Sequence, residues 1–169
     1  MISARPTLVS GSANLPAVIR HLYISAGHNF FGHYGRAPGS HPMSEVRRVE
    51  CVRGRGIRGD RFFDFRSSYH GQITFFSLNV FCSLQETLTV YNRGPETFRR
   101  NAILDGVDLN ALIGATFRIQ GVIFRGTEEC RPCSWMNQAF APGAEELLRG
   151  RGGLRAEILT DGTLRVDDP

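Results

Sequence analysis

What most constrains this chain is its punctuation. Short apolar or alternating runs are cut off, one after another, by glycine, proline or an Asp-Gly pair, which leaves little room for long helices. Residues 18–25, 45–52, 72–76, 98–104, 116–120, 122–125, 154–159 and 163–166 read as strands. Gly121 joins the fifth of these to the sixth, and Thr160-Asp161-Gly162 sets up the last two as a hairpin. One helix stands out: Ser77 caps a segment running to about residue 90, with Leu78, Phe81, Leu84 and Leu88 at helical spacing. A helical turn at 108–112, stopped by Gly114, and a short helix at 144–148 after Pro142 complete the set. The expected fold is mostly β and barrel-like, decorated by a few short α-helices.

A chain of 169 residues, 41% of them hydrophobic, can bury a core without disulfide or metal support. Residues 1–16 lack periodicity and read as a loosely held lead-in, with residues 17–169 as a single domain. Residues 26–43 are rich in Gly, His and Pro, and a loop of that length usually serves a function. It holds His28, His33 and His41. Four cysteines do not make a disulfide scaffold at this size, and the opening Met1-Ile2-Ser3-Ala4-Arg5-Pro6 lacks the apolar stretch of a signal peptide. A reducing cytoplasm is expected, and no run approaches the roughly 20 apolar residues that cross a bilayer.

All 20 basic residues are arginine, within a net charge of +4. Without lysine there is no Schiff-base chemistry, no P-loop lysine and no covalently bound pyridoxal phosphate. Arginine offers a planar fork that pairs with phosphate or carboxylate at any relevant pH, so an anionic ligand is indicated. Genomic base composition is the other source of such a bias. Residues 54–61 interleave glycines with arginines, either to bring backbone and forks around a ligand or simply to make a tight turn with solvated arginines.

The chemistry concentrates in Glu129-Cys130-Arg131-Pro132-Cys133-Ser134-Trp135-Met136. Arg131, Arg149, Arg151 and Arg155 supply cations that favour a thiolate, and Cys133 could act as nucleophile, redox thiol or metal ligand. A structural zinc would need four ligands, but Cys51 and Cys82 are isolated and Cys82 falls on the apolar face of the predicted helix. A thioredoxin-like pair should open a helix in a βαβ context rather than sit among strands. The third reading is a single ligand thiolate, Cys133, with Cys130 in a packing part. Among the histidines His70 is the best candidate, since it precedes a predicted strand beside the Gly-Arg loop. No Gly-x-Ser-x-Gly occurs, and the carboxylates show no distinctive pairing.

Taken in order, Gly56-Ile57-Arg58-Gly59-Asp60-Arg61, Phe98-Arg99-Arg100-Asn101-Ala102-Ile103, Gly106-Val107-Asp108-Leu109-Asn110, Leu112-Ile113-Gly114-Ala115-Thr116-Phe117-Arg118-Ile119, Cys130-Arg131-Pro132-Cys133 and Arg151-Gly152-Gly153-Leu154-Arg155-Ala156 resemble the motif series of MOSC domains, named for the C-terminal domain of molybdenum cofactor sulfurases. The resemblance covers roughly residues 18–168 and is strongest from Phe98 onward. It implies a β-rich domain that binds molybdenum cofactor (molybdopterin), a pterin dithiolene with a terminal phosphate. In those terms Cys133 is the catalytic residue and the molybdenum ligand. Arg99, Arg100 and Asn101 are donors to the phosphate or pterin edge, and Arg61 and Arg151 are further anchors. Asp60 orients the glycine turn or an arginine, Gly152 and Gly153 let backbone come close, and His70 joins the cofactor-binding set.

The activity so implied is an oxidoreductase reducing N-hydroxylated or N-oxygenated small molecules, with electrons from a separate donor protein. The alternative is a sulfur (persulfide) carrier or a cofactor-delivery module using Cys133. A nucleic-acid-binding barrel could use Phe62, Phe63 and Phe65 beside Arg61 and Arg66, but it leaves the two clustered cysteines without a role, so neither nucleic acid nor membrane is an expected partner. Two departures lie on the substrate side of the pocket: Phe62-Phe63 follow Gly-Asp-Arg where relatives commonly carry histidine, and Leu78-Asn79 stand where an acidic residue is often found.

Overall fold

The computed structural model describes residues 14–30, 33 and 35–169. Most of the expected lead-in therefore lies outside the described residues. The strands are β1 (Val18–Ile24), β2 (Ser44–Glu45), β3 (Arg48–Val52), β4 (Gly56–Ile57), β5 (Ile73–Ser77), β6 (Ala102–Asp105), β7 (Thr116–Ile119), β8 (Val122–Glu129), β9 (Leu154–Ile158) and β10 (Gly162–Arg165). The helices are α1 (Leu78–Leu88), α2 (Trp135–Ala139) and α3 (Ala144–Leu148), with single 3-10 turns at Pro95–Phe98 and Asn110–Leu112. None of the helices among the described residues is long and apolar enough to cross a membrane.

Seven strands form one sheet in the order β2-β1-β6-β5-β9-β8-β7, and three form a second, β10-β3-β4. Among the described strands only β5 and β6 pair in parallel, and α1 lies on the crossover between them, as a parallel pair requires. The two sheets enclose an apolar cluster in which Phe75 meets Phe117 and Phe124 edge to face, and these two stack on each other, beside Ile19, Leu22, Ile57 and Leu154. A second cluster lies on the other side of β5 and β6, where Phe76 and Ile103 receive Phe81 and Leu84 of α1, Met136 of α2, Phe140, and Leu148 of α3. Because both its faces are covered, β5 reads as a continuous apolar run rather than an alternating one.

Single bonds tie the sheet margins together. Leu15 N–H donates to the Arg118 carbonyl at 2.9 Å, and Asp167 N–H donates to the Ile19 carbonyl at 2.9 Å. No continuous ladder among the described residues closes the sheets into a barrel, so the architecture is mainly β but open.

Several elements differ from the sequence reading. Residues 45–52 split at Val46 and Arg47 into β2 and β3, which join different sheets. The strand expected at 98–104 begins only at Ala102, because Pro95–Phe98 is a 3-10 turn and Arg99 takes the left-handed conformation, φ 57°. Residues 154–166 contain two strands but no hairpin. β9 lies between β5 and β8, while β10 crosses to β3, and Asp161 Oδ1 accepts from Arg53 N–H at 2.7 Å on the β3–β4 turn. Cys82 is exposed rather than on the apolar face of α1, which presents Phe81 and Leu84 inward. By contrast, Ser77 caps α1 as read, its hydroxyl accepting from Val80 N–H at 3.4 Å.

Candidate functional site

The cysteine segment leaves the end of β8 and is fixed by backbone before it is fixed by side chains. Cys130 N–H donates to the Gly153 carbonyl at 2.8 Å, and its own carbonyl accepts from Arg100 Nη2 at 3.2 Å. Gly152 lies so close that a Cβ there would sit 2.2 Å from the Cys130 carbonyl oxygen, and one on Gly153 would sit 2.4 Å from that of Phe75. Both glycines thus permit close backbone approach, but to neighbouring strands. Three residues on, Cys133 opens α2, its carbonyl accepting from Met136 N–H at 2.9 Å. Burial pushes the Cys130 thiol up from its ordinary pKa against the pull of Arg100 and Arg155, so it stays protonated at neutral pH. Cys133 is only half-buried.

Above these residues opens a cleft of about 130 Å³ lined by Cys130 and Cys133, by Arg61, Arg99, Arg100, Arg131 and Arg155, and by His28, Phe30, Tyr69 and Trp135. No carboxylate among the described residues lines it. Asp60 lies behind Arg61, with Oδ1 3.1 Å from Arg61 Nη1 and accepting Ser25 N–H at 3.1 Å, while Oδ2 accepts Phe62 N–H at 3.2 Å. Burial lowers the pKa of Arg61, and burial with Arg61 as neighbour brings Arg99 down to about 10, which leaves Arg99 charged at neutral pH. His28 is also lowered, first by burial and then by Arg61, and is therefore neutral at pH 7. Its ring meets Phe62 edge to face at 4.8 Å, and Phe62 stacks on Tyr69 at 5.3 Å. Phe30 packs on Trp135 in the lining, with centroids 5.4 Å apart.

Of the residues picked out from sequence, the fold brings Cys133, Arg61, Arg99 and Arg100 into this cleft, with Asp60 behind it. Their forks, however, hold main chain. Arg100 donates to the carbonyls of Gly152 (3.0 Å), Phe98 (2.8 Å) and Cys130, and Arg61 Nη2 donates to that of Arg99 at 2.8 Å. Asn101 is fully buried away from the cleft, accepting from Thr74 N–H and Oγ1 at 3.0 Å and donating to the Tyr23 carbonyl at 3.2 Å. Arg151 donates to the Leu147 carbonyl at 2.8 Å and borders a separate shallow cleft with Ser77 and Asn110. His70 is exposed and pairs with Glu157.

The sequence does not mark the aromatic members Phe30, Tyr69 and Trp135 as site residues. The one signal for Trp135 was that it is the chain's only tryptophan and stands two residues after Cys133. Arg131 and Arg155 stand out in the sequence only as cations acting on a thiol. Arg155 hydrogen-bonds the Cys130 sulfur, while the exposed Arg131 has a fork with no partner among the described residues.

Against this geometry, the MOSC domain profile matches residues 64–169. The chain belongs to the MOSC domain family. Solved structures superpose on more of the chain than the residues the profile matches. The YuaD protein of Bacillus subtilis superposes with a TM-score of 0.70 at 17% identity, covering 92% of this chain and 94% of that one. YiiM of Geobacillus stearothermophilus gives 0.62 at 15% identity, over 91% and 73% of the two chains. YiiM of Escherichia coli gives 0.58 at 15% identity, over 86% and 66%. A search of curated proteins finds no match. At such identities the structural likenesses speak for the fold alone.

The MOSC domain is associated with molybdenum cofactor, and the donor set here fits such a group. Among the described residues no cluster of three or more His, Cys, Asp or Glu could cage a bare ion. What the cleft offers is one accessible soft sulfur in a cationic surround. That suits a soft metal that brings most of its ligands with it, on an anionic carrier.

Proposed function

We propose that the cleft holds molybdenum cofactor, with Cys133 as the protein's thiolate ligand to the metal, and that the protein is an oxidoreductase for N-hydroxylated or N-oxygenated small molecules. The observation that carries this reading is the half-buried Cys133 at a cleft lined, among the described residues, by five arginines and no carboxylate. When bound, the cofactor supplies two-electron redox chemistry, and the protein supplies binding, orientation and electrostatics. Arg131, whose fork has no partner among the described residues, is the arginine best placed to meet its phosphate, while Arg155 pairs with Glu128 at 3.4 Å and hydrogen-bonds the Cys130 sulfur. Arg61, Arg99 and Arg100 contribute charge and shape. Neutral His28 orients a polar substrate group, and the Phe30–Trp135 pair narrows the cleft against water. Electrons come from a separate donor protein.

The test is elemental analysis of protein co-expressed with cofactor biosynthesis, wild type against Cys133→Ala. Near-stoichiometric molybdenum that the variant loses supports the reading and leads to assays on N-hydroxylated compounds. No molybdenum in either protein, both folded, overturns it in favour of a persulfide carrier on Cys133.

A further inference from the structure

Resting on the reading of the cleft as a ligand site, we infer that Arg99 is a positioning residue: it clasps together the two ends of the long loop after β1 and thereby sets the wall formed by His28, Asn29 and Phe30. Its guanidinium reaches both ends at once. Nη2 donates to Ser25 Oγ at 2.9 Å and to the Gly27 carbonyl at 2.7 Å, where the loop departs, and Nη1 donates to the His41 carbonyl at 2.8 Å, where it returns. The loop adds its own staple. Asn29 Nδ2 donates to the His41 carbonyl at 2.8 Å, and Asn29 Oδ1 accepts from His41 N–H at 2.8 Å. The neck is tight enough that a Cβ on Gly27 would sit 2.4 Å from the His41 ring.

The clasp is itself anchored. The left-handed backbone of Arg99, which follows the 3-10 turn, turns its carbonyl to Arg61 Nη2, and Arg61 is held in turn by Asp60, whose Oδ1 also takes Ser25 N–H. Arg99 is 8% exposed, and an anion in the cleft would have to draw its terminal nitrogens away from three acceptors already in place. Three bonds in two directions need the planar fork, and a lysine ammonium at the same position keeps the charge but cannot span the neck. The fork and the charge are therefore separable by experiment.

The chain's single tryptophan, Trp135, packs against Phe30 of this wall and reports its seating. In protein carrying no cofactor, Arg99→Lys is expected to shift the emission to the red and raise acrylamide quenching, with far-UV dichroism unchanged. Phe30→Ala should give the same signature, and Arg131→Gln should not. Wild-type emission and quenching in Arg99→Lys would overturn the clasp and return Arg99 to the anion donors. If Arg99→Lys does not fold, the double variant Ser25→Ala/Asn29→Ala loosens the neck with every arginine in place and must give the same red shift, its absence counting equally against the clasp. The readout needs no bound metal, so a failure of cofactor loading and a failure of the clasp are told apart.

Discussion

Asn101 shows how a residue type can be legible while its partners are not. In the resembling motif it stands beside two arginines, which implied a donor facing a cofactor. Instead the parallel register of β5 and β6 brings Thr74 opposite it, and the amide becomes the polar bolt joining β1, β5 and β6. Nothing local in the sequence encodes that partner, because Thr74 lies a helix and a crossover away. Asn101→Ala leaves the Thr74 donors and the Tyr23 carbonyl without a partner, at about 1–3 kcal/mol for each group that finds no water. Urea unfolding should show the loss without cofactor. A variant that keeps its midpoint yet loses molybdenum would assign Asn101 to the cofactor instead. Cys133 was the opposite case: a soft thiol between arginines and a tryptophan announces its chemistry by composition alone.

At the scale of elements, what was legible was what short-range chemistry decides. α1 was readable because a capping serine and a helical stripe agree, and Gly121 between β7 and β8 was readable because a tight turn needs φ near its 86°. β9 and β10 were each visible, but their pairing was not, since a Thr-Asp-Gly connector serves a strand that changes sheet as well as one that folds back. What holds β9 in place is partly ionic. Glu157 accepts from Arg125 of β8 at 2.8 Å through Nε and pairs with His70 just before β5. Burial alone would raise its pKa, but the hydrogen bonds from Arg125 and His70 more than offset this and hold it below its ordinary 4.5. A carboxyl depressed on folding stabilises above its unfolded value and loses that contribution as pH falls through the folded one. Thermal melts of Glu157→Gln should therefore lie below wild type at neutral pH and converge with it on acidification. A gap that stays constant with pH would mean that the ionic staple contributes nothing.

For the molecule as a whole, the mainly β architecture followed from the glycine-punctuated runs, whereas its division into two apolar clusters did not, because β5 is buried on both faces and its run carries no sign of which side chain goes where. Phe98 and Met136 place the cleft along the margin of the helical cluster, whose cover includes a five-residue α2 and a five-residue α3. Short helices depend on packing for their stability, so this layer should open at lower free energy than the sheets. The cysteines are built-in reporters of that order. Exposed Cys82 and half-buried Cys133 should react with a thiol reagent first. Cys130 should follow as the helical layer opens, and Cys51, in the sheet core with its pKa pushed up to about 12 by burial, should react last, on global unfolding. Labelling followed by peptide mass analysis checks this, and Cys51 reacting with or before Cys130 would contradict it.

The arginines bound to carbonyls around the cleft have a consequence for any anion that enters. Because the forks of Arg61, Arg99 and Arg100 are tied to main chain, their charges are already oriented and cannot swing toward an arriving ligand. The electrostatic potential is thus preorganised, and little reorganisation free energy is left to subtract from binding or from a charge that develops there during reaction.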